Sequence, residues 1–204
     1  MKSILLLMLM LLDYHVLPVE AAISTSKNGI IVPGESVGDV KLGSEFSTFE
    51  ANFPRHAEAD EDTANGGCSE RIYHWVDVDR DATGVYAYLR EGKIYQLSVH
   101  TPRFSLANGI KVESSEEQVE KSYPRGRGYV LLHSGSAAVG GQDLTYWVDK
   151  RAGVAIELYW NQERKQRLVN GIDIFAGGTD YRPEGCTLPP QEWQASGPGM
   201  TSKR

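Results

Sequence analysis

The chain has 204 residues, with 21 Lys plus Arg against 27 Asp plus Glu and a formal net charge of −6. That acidic balance disfavours nucleic acid or an anionic membrane as a partner. Hydrophobic residues make up 41%, enough to pack a core, and a chain of this length holds one domain or two small units sharing one core.

Lys2 precedes an apolar stretch from Ile4 to Leu12, and Val19-Glu20-Ala21-Ala22 carries the small residues that signal peptidase cuts. The pattern predicts a signal peptide over residues 1–21 and a protein that is secreted or periplasmic. The apolar run is too short to span a bilayer, and Asp13 and His15 follow it, so no transmembrane anchor is expected. Residues 22–36 form an N-terminal segment.

Beyond it the chain reads as a duplication. "GDVKLGSEFSTFEANFPR" (Gly38 to Arg55) lies over "NGIKVESSEEQVEKSYPR" (Asn108 to Arg125) at a constant offset, "YHWVD" (Tyr73 to Asp77) over "TYWVD" (Thr145 to Asp149), and Gly84-Val85 over Gly153-Val154. The units span residues 37–104 and 105–176, with a tail over 177–204. Ser114 three residues before Glu117 has capping-box spacing, predicting a short helix that ends before Pro124. Phe46, Phe49 and Phe53 recur at helical spacing in the first unit. Alternating apolar and polar runs then predict three strands per unit, with a tight turn at "REGKI" (Arg90 to Ile94). The expected fold class is α+β: two tandem repeats of a short helix followed by antiparallel strands, joined into one extended sheet with the helices on one face.

"HWVDVDRDATG" (His74 to Gly84) spaces Asp77, Asp79 and Asp81 as a calcium loop spaces its ligands. Such a loop also needs glycine at its sixth position and glutamate at its twelfth, where Ala82 and Tyr88 stand, so the stretch is read as a turn. Val85, Ala87 and Leu89, like Val154, Ile156 and Leu158, form uniformly apolar sets expected beneath the helices. On the preceding strands Ile72, His74 and Val76 and their counterparts are assigned to that side too, which leaves Trp75 and Trp147 on the opposite one. The candidate binding surface is therefore an open aromatic face: Trp75, Tyr86, Tyr88, Arg90, Trp147, Glu157 and Tyr159; the alternative is that the acidic loop Glu58 to Glu70 or the tail after Cys186 covers these rings as part of the core. Aromatic residues among charges are what protein interfaces use.

Cys68 and Cys186 are the two cysteines, and in an oxidising compartment they are expected to form a disulfide. No histidine pair has zinc-ligand spacing, "HSGSAAVGG" (His133 to Gly141) lacks a nucleophile elbow, and "GGT" near Gly177 lacks a phosphate-binding signature. No catalytic residue, metal or cofactor is assigned.

The capped helix and strands at Gly43-Ser44 through Pro54, and again at Ser114-Ser115-Glu116-Glu117-Gln118-Val119 through Pro124, resemble the β-lactamase-inhibitory-protein architecture and the related small domains of outer-membrane assembly lipoproteins. The resemblance covers about residues 37 to 176, and it implies a concave sheet that grips a partner protein. The leading expectation is an exported, non-enzymatic binding module for a protein or extracellular ligand. An extracytoplasmic hydrolase, testable at Asp77 and His133, and an envelope structural or assembly factor are the alternatives.

Overall fold

β-Branched and aromatic residues dominate two long stretches of the chain, and the computed structural model forms them into a broad antiparallel sheet. It describes residues 29–58, 71–80, 82–131, 144–182 and 193–196. The predicted signal peptide, Cys68, Asp81, His133 and Cys186 lie outside the described residues.

The strands and helices run in the order β1 (Ile30–Val32), β2 (Ser36–Val37), β3 (Val40–Lys41), α1 (Phe46–Asn52), β4 (Ala57–Glu58), β5 (Arg71–Asp77), β6 (Ala82–Arg90), β7 (Lys93–His100), β8 (Ser105–Leu106), α2 (Glu116–Ser122), β9 (Arg127–Leu131), β10 (Leu144–Asp149), β11 (Val154–Asn161), β12 (Gln166–Phe175) and β13 (Trp193–Ser196). Among the described residues β13-β9-β10-β11-β12-β7-β6-β5-β4 form a nine-stranded sheet and β3-β2-β1-β8 a four-stranded one. Two meanders, β4 to β7 and β9 to β12, meet where β7 pairs with β12 through Val99 opposite Ile172 and Ser98 opposite Asp173.

This architecture overturns the α+β expectation of two tandem helix-plus-strand repeats. Among the described residues strand predominates, and the two α-helices found there are seven residues each. The second sheet belongs to neither expected unit, because β1 precedes the first and pairs in parallel with β8 of the second. Strand β13, past residue 177, extends the large sheet along β9. Helices this short cannot persist alone in water and hold only by packing.

Both helices are tied to the large sheet at their starts. Gly43 N–H donates to Ile94 C=O (2.6 Å) and Ile94 N–H to Ser44 C=O (3.0 Å) before α1. Before α2, Glu113 N–H donates to Val169 C=O and Val169 N–H to Ser114 C=O, each at 2.8 Å. The capping box forms one residue later than expected: Gln118 N–H donates to Ser115 Oγ (3.4 Å) and Ser115 N–H to Gln118 Oε1 (2.9 Å). Ser114 Oγ instead accepts from Lys111 N–H (3.0 Å). Helix α1 has no side-chain cap.

One core fills the space between the helices, the small sheet and one face of the large sheet. It joins Ile31, Val37 and Val40 with Phe49, Val119, Val85, Leu97, Ile156 and Ile172. Phe49 and Val119 are fully buried, and each such side chain contributes roughly 1.5–3 kcal/mol by leaving water.

Candidate functional site on the helix-free face

Residues directly opposite each other on paired strands share a face. Trp75 lies opposite Val85, Tyr73 opposite Ala87, and Trp147 opposite Ile156. All three rings therefore join the core side, and the expectation of Trp75 and Trp147 on the open face is corrected. Trp75 packs on Phe53 (5.3 Å between ring centroids) with the Arg103 guanidinium 5.7 Å above it. Trp147 donates from Nε1 to Tyr123 C=O (2.9 Å), and a Cβ on Gly126 would meet that nitrogen at 1.9 Å. The indoles thus brace the residues that follow each helix.

Asp77, the first acid of the apparent calcium loop, is fully buried. Its Oδ2 accepts from Thr101 Oγ1 (2.6 Å) and Arg103 Nε (3.0 Å), and its Oδ1 accepts from Arg103 Nη2 (2.6 Å). Burial pushes its pKa up, but the bonds from Arg103 and Thr101 outweigh that and hold it below the ordinary carboxylate value. Val78–Arg80 is a single 3-10 turn, and Asp79 adds a second contact to Arg103 (3.1 Å). Gly84 lies beside a register shift at φ 95°, where a Cβ would stand 1.8 Å from Trp75 O. The acids thus fasten the Thr101–Arg103 segment to the end of β5. At the corresponding end of β10, Asp149 Oδ1 accepts from Ala152 N–H (3.0 Å), a turn contact.

Of the remaining candidates, Tyr86, Tyr88 and Glu157 lie on the large sheet's other face, where Tyr88 and Glu157 are buried and not open as expected, and alternation along β11 places Tyr159 with Glu157. Arg90 ends β6 with its guanidinium 4.8 Å from the Tyr95 ring centroid. Pairing brings Ile72, His74, Tyr146 and Val148 to this face as well: His74 lies opposite Tyr86 and Tyr146 opposite Glu157. The His74 and Tyr86 rings stack at 4.2 Å and 6°, and His100 meets Tyr86 edge-on at 5.8 Å.

At the joint of the meanders this face carries a buried polar network that the sequence reading did not assemble. Ser98 Oγ lies 2.9 Å from His100 Nε2, and Ser98 also hydrogen-bonds Asp173, which stands opposite it on β12. Tyr181 OH donates to Asp173 Oδ2. Tyr146 OH donates to Glu157 Oε2 (3.2 Å), and Asn170 Nδ2 donates to Glu157 Oε1. Burial raises Asp173 to about 6, against the lowering pull of His100, Ser98 and Tyr181 and with a further push from Glu157. Burial likewise pushes the Tyr181 hydroxyl well up. Among the described residues neither Asp173 nor Glu157 pairs with Lys or Arg. Gly171 makes the network possible, since a Cβ there would stand 2.5 Å from the His100 ring. Gln96 shares the face, and its buried Nε2 has no hydrogen-bond partner among the described residues.

The constellation differs from a serine-hydrolase triad. There the acid holds the far nitrogen of the imidazole; here Asp173 engages the Ser98 hydroxyl itself, and Ser98 is 2% exposed. Among the described residues no cluster of three His, Cys, Asp or Glu side chains has metal-holding geometry, and no helix is long and apolar enough to cross a membrane.

No family model and no curated protein matches this chain. Among solved structures, the uncharacterized protein yfeY from Escherichia coli aligns with 71% of this chain and 98% of its own, at 14% identity and a TM-score of 0.47. At that level of similarity nothing about function transfers.

Proposed function

We propose that the protein is an exported, non-enzymatic binding module that takes a protein or other extracellular ligand on the helix-free face of its large sheet. The observation that carries the reading is the half-buried row His74, Tyr86, His100 and Asn170 running over the buried Ser98–Asp173–Glu157 network. Such a row offers aromatic contact area on a preorganised polar floor, the combination from which recognition surfaces are built. Gln96 Nε2, unpaired among the described residues, adds a donor that a ligand acceptor would satisfy. A protein ligand is the class that the resemblance to β-lactamase-inhibitory proteins implies. Export follows from the signal-peptide pattern, and a Cys68–Cys186 bond belongs to the same proposal.

The test compares immobilised wild type with Tyr86→Ser and with Trp75→Phe, using envelope extract and culture fluid from the source organism. Any captured molecule is then titrated in purified form by calorimetry. The reading expects binding by wild type and Trp75→Phe, and loss in Tyr86→Ser with its melting temperature retained. Equal affinity for all three proteins would remove this face from the function.

The 2.9 Å approach of Ser98 Oγ to His100 Nε2 favours a second reading, an extracytoplasmic hydrolase. It expects a fluorophosphonate probe to label wild type but not Ser98→Ala. An absence of labelling in both dismisses it.

A further inference from the structure

Chain leaving β12 turns back over the helix-free face through residues 176–182. Gly178 N–H donates to Lys150 C=O (2.8 Å), Thr179 N–H to Ala176 C=O (3.1 Å), and an exposed ion pair joins Lys150 to Asp180. The inner contact is Tyr181, whose ring lies 5.3 Å from Phe175 and 5.8 Å from Tyr146 and whose hydroxyl donates to Asp173. With Val148 and Ala155 these rings form a second apolar cluster, separate from the main core. The segment is therefore a short strap with one buried foot, and that foot stands on a carboxyl.

We propose that residues 176–182 are a proton-controlled latch, closed over the helix-free face while Asp173 holds a proton and released when Asp173 ionises beside the Glu157 carboxyl.

The groups facing Asp173 set the direction. Strand β7 presents Ser98 and His100, β11 presents Glu157, β10 presents Tyr146, and the strap presents Tyr181. His100 is the one cationic candidate among these, and it is held by the Ser98 hydroxyl on one side and the Tyr86 ring edge on another. Around the strap itself the charged groups are Lys150, Asp180 and Arg182, and Lys150 draws the exposed Asp180 below the ordinary carboxylate value. With its carboxyl drawn down, away from the transition, Asp180 does not drive it.

With the strap closed, ionising Asp173 places a negative charge beside the Glu157 carboxyl in a buried site. Lifting Tyr181 admits water to Asp173 and relieves that cost. A proton is thus bound more tightly in the closed state, near 6 against the ordinary 3.8, so rising pH favours opening. A complete return of Asp173 to the ordinary value on opening sets the upper limit of the shift in the closed-to-open ratio, about 100-fold. The latch is independent of what the face binds, although it would govern access to it.

Hydrogen–deuterium exchange of the full chain, corrected for intrinsic rates and read by mass spectrometry between pH 4.5 and 8, tests the device. Peptides covering residues 176–182 should lose protection by 10- to 100-fold as pH rises toward about 6 and level off above it, while peptides from β6 and β7 keep theirs. Asp173→Asn should abolish the step and leave the strap protected throughout. His100→Gln should keep the step and move its midpoint upward, because a lowering influence is lost. Glu157→Gln should move it downward, a prediction that stands even where Asp173→Asn fails to fold. A flat wild-type profile, a step that survives Asp173→Asn, or a midpoint indifferent to Glu157→Gln each overturns the proposal.

Discussion

Burial raises the pKa of both Asp77 and Asp173, yet the two carboxyls end on opposite sides of the ordinary value because Asp77 is held by Arg103 and Thr101, whereas Asp173 pairs with no arginine among the described residues. The consequences for stability have opposite signs. The lowered pKa of Asp77 contributes stability above pH 3.8, and that contribution is lost as pH falls through the folded value. The raised pKa of Asp173 does the reverse: its contribution is complete below 3.8 and is lost as pH climbs to about 6. The full loss amounts to about 3 kcal/mol. Urea denaturation should therefore show wild type declining relative to Asp173→Asn between pH 4 and 6, and a parallel pair of curves would contradict the account. Removing the partner of a buried charge is costlier than weakening it, so Arg103→Ala should destabilise by roughly 3–5 kcal/mol at pH 7. The same substitution in an Asp77→Asn background should cost much less, and equal losses in the two backgrounds would show that Arg103 acts through its stacking on Trp75. None of this pairing was legible in the sequence. Asp77 and Arg103 are separated by two strands, and the regular spacing of Asp77, Asp79 and Asp81 advertised a turn without showing where the first acid points.

At the scale of single elements, the parts written in local chemistry were the legible ones. The hairpin at Arg90–Lys93, the apolar faces of β6 and β11, and a capped helix ahead of Pro124 all follow from nearby residues. Strand β5 defeated the same reasoning because Tyr73-His74-Trp75-Val76 offers an aromatic or aliphatic side chain at both parities. Its face is set by pairing with β6, a relation between strands that periodicity within one strand does not contain. The buried network had a fainter signal: Ser98 and His100 share one face of a strand, and Gly171 interrupts an apolar strand, a mark of close approach. The fold class was missed because β2, β3, β4 and β8 are two residues each, too short for any alternation to register. Capping provides a clean check at this scale. Ser115→Ala should cost about 1 kcal/mol in thermal or urea denaturation. Ser114→Ala should cost less than that, whereas the reverse ranking would place the cap one residue earlier.

Across the whole molecule, the question is whether the two meanders can part. Their backbone joint is the pairing of β7 with β12 from Gln96 opposite Phe175 to Val99 opposite Ile172. The main core does not respect that boundary, since Phe49, Val85 and Leu97 share one cluster with Val119, Ile156 and Ile172. The small sheet binds the halves again, because β1 pairs with β8 while Ile31 and Leu106 enter the same core. Opening the joint would therefore expose apolar surface from both meanders at once, which favours a single cooperative transition. The indoles provide one reporter on each side: Trp75 packs on Phe53 after α1, and Trp147 bonds Tyr123 after α2. With Trp160 and Trp193 replaced by phenylalanine, Trp75→Phe leaves a reporter on the second meander and Trp147→Phe one on the first. Each variant's fluorescence midpoint in urea should coincide with its own far-ultraviolet circular dichroism midpoint. Separation of the two signals in either variant would mean that the meanders unfold independently, and that the core binding them is weaker than its continuity implies.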